Sequence, residues 1–358
     1  MPVEFFLHTP MPDDMNERRA ICRVARLLDQ KFQRSSHHYF LVGNIDPTRK
    51  PIAQQQGNMT QLDGLLLGPK FVAILEFKNY FGRIEAGSLQ GPWHAVTRSG
   101  AQKVIGGARD NPYHQAVNAR QVWSTYFQEA SDAFLKPARA QALANAREHL
   151  SVLVLFHPYL HAKSKLPAMG QADYWFYPRS LDHVLDLAYS LRSDKLQLTP
   201  DERRQLIQQG LQAEPWELIS DLLHQLLGYL VVKEPASKRL PVRYPLYKFE
   251  DFTIGRSSTV QGHQVGNTGQ SILVSGLHAQ IETDQKQVRV RDLGSKNGTY
   301  VQNKKVDGNG VILQPSQTVY LGEVSDEACQ LWFEPIGWYE TQAADRSTLR
   351  TGTRHIDG

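Results

Sequence analysis

The 358-residue sequence has only two cysteines, Cys22 and Cys329, far apart and in no metal-binding spacing. That excludes a disulfide framework and a cysteine-held metal cluster, and a reducing compartment is expected. No long hydrophobic run is present. The longest apolar-leaning stretch, Leu222–Val232 (LLHQLLGYLVV), contains His and Gln and is too short for the ~20 residues a membrane helix needs. The first residues, MPVEFFLHTPMPDDMNERR, lack the basic start and the apolar length of a secretory signal. There is no internal repeat. A soluble cytoplasmic protein with no membrane partner is expected.

What is present is a chain long enough for two or three domains. Its net charge of +4 is uneven: +5 over residues 1–160, −2 over 161–235 and +1 over 236–358. The N-terminal part is therefore the one better suited to a polyanion, although +5 over that length is by itself ordinary. Residues 15–34 place Ile21, Val24, Ala25, Leu27 and Leu28 at helical spacing. Strands are expected in HYFLVGN, QLDGLLL and FVAILEFK, near Gly82–Glu85, and in SVLVLF and DYWFY. A helix is expected from Pro112 with Asn111 as its cap, and further helices over 180–230. This order describes an α/β layer structure. Residues 233–246, rich in Pro, Lys and Arg, read as a linker. Short alternating runs follow, broken every few residues by Gly, Asn, Ser or Asp, as in an all-β sandwich. The tail, 336–358, has almost no apolar residues and reads as disordered.

One stretch does not fit a purely structural reading. In QLDGLLLGPKFVAILEFKNY (Gln61–Tyr80), both faces of the second strand are apolar until Glu76 and Lys78 appear together on one face. If the strands pair through the short GPK turn, opposed residue numbers sum to about 138 or 139. Asp63 then stands level with Glu76, roughly 5 Å away. Two partly desolvated carboxylates so close repel each other and need compensation. Lys78 supplies one positive charge, and a divalent cation supplies more. Hard oxygen ligands favour Mg²⁺ or Mn²⁺. The arrangement suits phosphodiester hydrolysis. A surface ion pair on a hairpin end is the ordinary alternative.

The stretch resembles the NERD (nuclease-related) domain, a branch of the PD-(D/E)xK restriction-endonuclease-like superfamily. The resemblance rests on NERRAICRVARLL, on QLDGLLLGPKFVAILEFKNYFGRI, on Trp93 and on NPYHQAVNARQV, over about residues 15–160. It implies a restriction-endonuclease-like α/β fold with a catalytic, metal-binding set at Asp63, Glu76 and Lys78. Two further members are implied: Glu17 on the first helix as a metal ligand, and Gln115 in a helix first turn orienting substrate or water. The family usually has Gly before that Glu, where this chain has Asn16. Tyr80, Phe81, Trp93 and Tyr113 are candidates for base stacking, though such residues are more often core. Arg83, Arg109 and Arg120 are candidates for phosphate contacts. His37 and His38 match no zinc spacing.

FTIGRSS, ILVSGLHAQIE and DLGSKNGTYVQNKKV resemble the forkhead-associated (FHA) domain, over about residues 240–335. That resemblance implies a β-sandwich whose loops bind phosphothreonine peptides. Arg256, Ser275, Lys296 and Asn297 would be the phosphopeptide-binding residues, and Gly255, His278 and Gly298 would be structural. Arg256 offers a forked donor to a phosphate of charge about −2. Gly276 departs from the family, which often has Arg, Lys or Asn there; Lys296 or Arg291 would have to compensate.

The expected organisation is a nuclease-like domain over 1–160, a helical extension over 161–232, the linker 233–246, the FHA domain over 247–335 and the tail. The expected function is a metal-dependent nuclease, acting on DNA more than RNA, targeted or regulated by a phosphothreonine-containing protein. One such partner is the chain's own tail, phosphorylated at Thr348, Thr351 or Thr353. The alternative is an inactive nucleic-acid- or phosphopeptide-binding adaptor in Ser/Thr kinase signalling.

Overall fold

The computed structural model describes residues 2–53, 59–97, 100–106, 111–136, 139, 143, 145–193, 196, 198–234, 240–257, 263–265, 273–325 and 328–336. The chain divides into two compact units, Met1–Leu223 and His224–Gly358.

The first unit is built on a mixed sheet. Its strands are β1 (Val3–Leu7), β2 (Tyr39–Ile45), β3 (Leu62–Gly68), β4 (Phe71–Asn79), β8 (Leu150–His157), β9 (Phe176–Ser180) and the short β10 (Glu214–Pro215), in the order β10-β1-β2-β3-β4-β8-β9. β3 and β4 form an antiparallel hairpin, while β4, β8 and β9 run parallel. Val72, Ile74, Leu65 and Leu67 share a core with α2 (Pro112–Glu129), through Ala116, Ala119, Trp123 and Phe127. Helix α1 (Met15–Phe32) covers the opposite face: a methyl group on Gly64 would touch both Leu75 and Ile21. Covered on both sides, β4 reads as a continuous apolar run. The helical spacing of 15–34 is observed, with Ile21, Val24, Ala25 and Leu28 buried. Asn111 caps α2, its Oδ1 accepting from His114 N at 2.9 Å, with Pro112 first in the helix.

Between β4 and α2 lies a three-stranded sheet: β5 (Arg83–Ala86), β6 (Trp93–Thr97) and β7 (Gly100–Val104). Only its first strand was expected from sequence. Residues 161–232 are less helical than expected. They contribute β9 at one sheet edge and β10 at the other, with short helices between. Leu226–Lys233 is a strand of the second unit, not part of a helical extension. Apolar runs this short carry no periodicity that separates helix from strand.

The second unit is a two-sheet sandwich. One sheet has the order β12-β11-β21-β20-β17-β18, with β11 (Leu226–Lys233), β12 (Val242–Tyr247), β17 (Thr299–Val301), β18 (Lys304–Lys305), β20 (Val319–Leu321) and β21 (Cys329–Pro335). The other has the order β14-β13-β15-β16-β19, with β13 (Asp251–Gly255), β14 (His263–Gln264), β15 (Ala279–Thr283), β16 (Val288–Asp292) and β19 (Val311–Leu313). Their inner faces meet in one core that includes Leu230, Ile254, Ile281, Val290, Val319 and Leu331. The expected linker 233–246 is therefore partly sheet: Val242–Tyr247 pairs with β11. Residues 235–239 and the expected disordered tail from 337 onward, with its threonines, lie outside the described residues. No helix of the described residues is long and apolar enough to cross a membrane.

Candidate functional sites

The β3–β4 ladder pairs Gly64 with Leu75 and Gly68 with Phe71, so residue numbers sum to 139. Asp63 and Glu76 are the next pair at the open end. The ladder gives way there to a side chain, as Asp63 Oδ2 accepts from Phe77 N at 2.5 Å. Glu76, only 2% exposed, and Lys78, 8% exposed, are on the α2 face, with Lys78 Nζ 4.0 Å from Glu76 Oε2. The same oxygen accepts from Gln115 Nε2 at 2.5 Å. Gln115 sits in the first turn of α2, across from this end of β4. The structure thus brings Asp63, Glu76, Lys78 and Gln115 together.

Glu17 stands in the first turn of α1, which Asp14 caps through the amides of Asn16 and Glu17. Burial and the charges of Asp63 and Asp14 push its carboxyl up to about 7, against the opposing pull of Lys78. Burial likewise pushes Asp63 up, despite Lys78 and the Phe77 amide. Glu76 rises well above the carboxylate range, through burial and then the charge of Asp63, with Lys78 opposing and Glu17 adding to the rise. Glu17 therefore feels the other two acids. Among the described residues, however, no three His, Cys, Asp or Glu side chains gather tightly enough to form a ready-made metal cluster.

Two buried oxygens in this site have no hydrogen-bond partner among the described residues, Glu76 Oε1 and Gln115 Oε1. Buried acceptors are normally satisfied, and a carboxylate this dry is normally paired. Unpaired hard oxygens among mutually repelling acids are the donor set that a divalent cation completes.

Sequence reasoning missed what frames Gln115. The chain leaving β7 crosses the start of α2 so closely that a methyl group on Gly106 would lie 2.2 Å from the Asn111 carbonyl oxygen and 2.9 Å from Gln115 Cβ. Tyr80, two residues past Lys78, accepts from Ile105 N at 3.1 Å and ties this crossing to the end of β4. Asn111 Nδ2 also donates to Leu89 O and Gly91 O. His157, beside Asn79 in the β4–β8 register, was missed too; burial, with Arg19 and Lys78 nearby, pushes it down to about 3.

Several candidates serve the fold instead. Trp93 is fully buried, its Nε1 donating to Ser88 O. Tyr113 donates to Asp173 Oδ1 at 2.7 Å and stacks on Trp175. Arg120 is buried, donates to Leu150 O at 3.0 Å and lies over the Trp175 ring. Arg83 ion-pairs with Glu85 at 2.6 Å. His37 is exposed. Arg109 lies outside the described residues.

In the second unit, Gly255 and Gly276 bring two loops into backbone contact: a methyl group on Gly255 would lie 2.1 Å from Gly276 O. Arg256 N donates to Ser275 O at 3.1 Å, and Ser257 N to Gly276 O at 2.9 Å. The Arg256 side chain, exposed, donates through Nε to Val274 O. Fully buried His278 joins two loops. Its Nδ1 accepts from Ser275 N at 2.9 Å, so the ring proton is on Nε2, which donates to Gly298 O at 2.9 Å. Ser275 Oγ accepts from Lys296 N at 2.8 Å, and Asn297 Nδ2 donates to Leu273 O at 2.9 Å. Gly298 has φ +92°, which favours glycine. Arg256, Ser275, Lys296 and Asn297 therefore converge on one end of the sandwich. The run SILVS, expected as a strand, supplies this loop in its described part. Arg291 does not compensate for Gly276, because Glu282 holds it at 3.1 Å. A side chain at position 276 has room, with only Ser257 Cβ near, at 3.8 Å.

These units define the class of protein: a mixed α/β nuclease-related region followed by a β-sandwich of the forkhead-associated kind. In particular, residues 17–152 match the model of the nuclease-related domain, NERD, and residues 252–322 match that of the FHA domain; the chain carries both. Among solved structures, the sandwich is similar to FHA-1 of Rv1747 from Mycobacterium tuberculosis, at 23% identity over 30% of this chain and 97% of that one, TM-score 0.24. It is similar to the FHA domain of CT664 from Chlamydia trachomatis, at 21% identity over 29% and 95%, TM-score 0.24. It is also similar to the N-terminal FHA domain of S. cerevisiae Rad53p, solved with a phosphothreonine peptide, at 16% identity over 32% and 98%, TM-score 0.26. No curated protein matches the chain.

Proposed function

We propose that the N-terminal unit hydrolyses phosphodiester bonds in nucleic acid, with DNA the expected substrate, and depends on Mg²⁺ or Mn²⁺. The C-terminal unit binds a phosphothreonine-containing protein that targets or regulates the nuclease. The observation that carries the first half is the convergence of Asp63, Glu76, Lys78 and Gln115 at one strand end, with Glu76 Oε1 and Gln115 Oε1 buried and unpaired among the described residues. Asp63 and Glu76 would hold the cation, with Glu17 close enough to contribute charge. Bound there, a divalent cation polarises a phosphate oxygen and lowers the pKa of an attacking water.

The chain's own residues do the rest. Gln115 fixes Glu76 through its amide N–H and offers its free carbonyl oxygen to a water proton. Lys78 supplies positive charge where it develops on the phosphate oxygens. Tyr80 and Gly106 set the position of Gln115.

The test is cleavage by the full-length protein of single- and double-stranded DNA and RNA, with Mg²⁺, Mn²⁺ or EDTA. Lys78→Ala and Asp63→Ala are expected to lose activity by at least ~10³-fold. Cleavage that survives both changes would sink the reading. The observation favouring the adaptor alternative is the lack of a gathered third acid among the described residues; nucleic-acid binding without turnover, unaltered in Lys78→Ala, would select it. For the second half, binding of a phosphothreonine peptide is expected to be lost in Arg256→Ala.

A further inference from the structure

We propose that the sandwich selects phosphothreonine peptides with an acidic residue on one particular side of the phosphothreonine, and that Lys305 reads this residue. The inference rests on the phosphothreonine reading above and deepens it.

The starting point is charge balance. A phosphothreonine carries about −1.5 to −2 charges, which Arg256 and Lys296 suffice to balance. A third cation stands beside them. Lys305 pairs with Tyr300 across the β17–β18 hairpin, and its Cε lies 2.9 Å from where a methyl on Gly298 would stand. Tyr300 in turn donates from its hydroxyl to Asn297 O at 3.1 Å. The stem of Lys305 is thus laid along the segment that carries Asn297, within a residue or two of the phosphate-binding loop. Arg256, Lys296 and Lys305 are all exposed, and among the described residues none has a carboxylate partner. Elsewhere in this unit Arg243 is paired with Glu334 and Arg291 with Glu282. Leaving the loop end unmatched concentrates positive potential where a ligand arrives.

The acids nearby make the preference one-sided. Asp292 is turned inward, accepting from Gly294 N, Ser295 N, Ser295 Oγ and Thr299 Oγ1; against burial, the bonds from Ser295 and Thr299 hold its carboxyl below the usual range. Glu323 is exposed, with one oxygen accepting from Ser325 Oγ at 2.9 Å. It follows Gly322, whose N–H donates to Gly298 O. Because β17 lies between β18 and β20, Lys305 and Glu323 flank the Asn297–Gly298 segment from opposite sides. A peptide crossing that segment meets a cation on one side and an anion on the other. Its acidic residue is accepted towards Lys305 and refused towards Glu323.

The experiment measures fluorescence anisotropy of the full-length protein with phosphothreonine peptides of neutral sequence, carrying one Asp at each flanking position in turn. The expected result is about fivefold tighter binding for Asp on one side only, shrinking as salt is raised. In Lys305→Glu the preference at that position is expected to invert, so that Lys replaces Asp as the favoured residue. Lost packing of the lysine stem would weaken every peptide alike and would not invert the preference. Phosphate-dependent binding with no positional effect of Asp, or an effect unchanged in Lys305→Glu, overturns the inference and leaves the phosphothreonine reading standing. Equal binding of phosphorylated and unphosphorylated peptides removes that reading, and the inference with it.

Discussion

The two sites solve opposite problems. In the α/β unit, the polar groups at the end of β4 are buried and incompletely satisfied: two acceptor oxygens lack partners among the described residues, and Glu17, Asp63 and Glu76 are all pushed towards their protonated forms. At the loop end of the sandwich, the polar groups hold one another. His278, Ser275, Asn297 and Asp292 are tied into backbone and side-chain bonds, while Arg256, Lys296 and Lys305 face solvent with no carboxylate partner among the described residues. The site proposed to take up a cation and reacting groups keeps repulsion in store. The site proposed to recognise a ready-made anion is assembled in advance, with its groups already held in place.

The largest effect that distinguishes the two is at His278. His278→Ala removes the partner of Ser275 N and of Gly298 O and leaves a hole in a fully buried place. It is expected to destabilise the C-terminal unit by about 3 kcal/mol, read by calorimetry of the full chain, and to weaken phosphopeptide binding with it. Little change in stability would mean that the loops are not interlocked as described. The opposite sign is expected at Glu76. Glu76→Gln is expected to abolish the proposed cleavage, yet without metal at alkaline pH to stabilise the first unit by about 1–3 kcal/mol, because it removes a charge that burial disfavours. Added Mg²⁺ is expected to raise the melting temperature of the unaltered protein and not that of Glu76→Gln. If Glu76→Gln is destabilising at every pH, the frustration described for this site is not there.

Much of this contrast was legible in the sequence, because it depends on local order. Strand alternation puts Glu76 and Lys78 on one face, and a short turn fixes Asp63 opposite Glu76; neither needs long-range information. Gly255, Ser275, His278 and Asn297 likewise come in a spaced order. What was not legible depended on distant segments crossing. Nothing around Gly106 announces that its missing side chain lets the strand exit pass over Gln115. Arg120 and Arg83 look like phosphate contacts until the partners that occupy them, Leu150 O with the Trp175 ring and Glu85, are in view. Leu226–Lys233 read as helix because a short apolar run fits either period, and it became a strand because β21 and β12 flank it.

The smallest expected effect, and the one that most directly probes the stored repulsion, concerns Glu17. Its carboxyl is raised from an ordinary 4.5 to about 7 by burial and by Asp63 and Asp14. The folded state therefore holds a proton that the unfolded chain releases at lower pH. Between about pH 4.5 and about pH 7 the native form binds more protons than the unfolded one, so stability from this group falls as pH rises through that window. Glu17→Gln takes the group out of the titration. Because Glu17 is partly solvated, the gain is expected to be only about 1–2 kcal/mol above pH 7, with none below pH 4.5. Urea unfolding of the metal-free protein at several pH values reads it as a flatter pH profile in the variant. An unchanged profile would place Glu17 outside the electrostatic reach of Asp63, and the acid repulsion at the strand end would then be that of Asp63 and Glu76 alone.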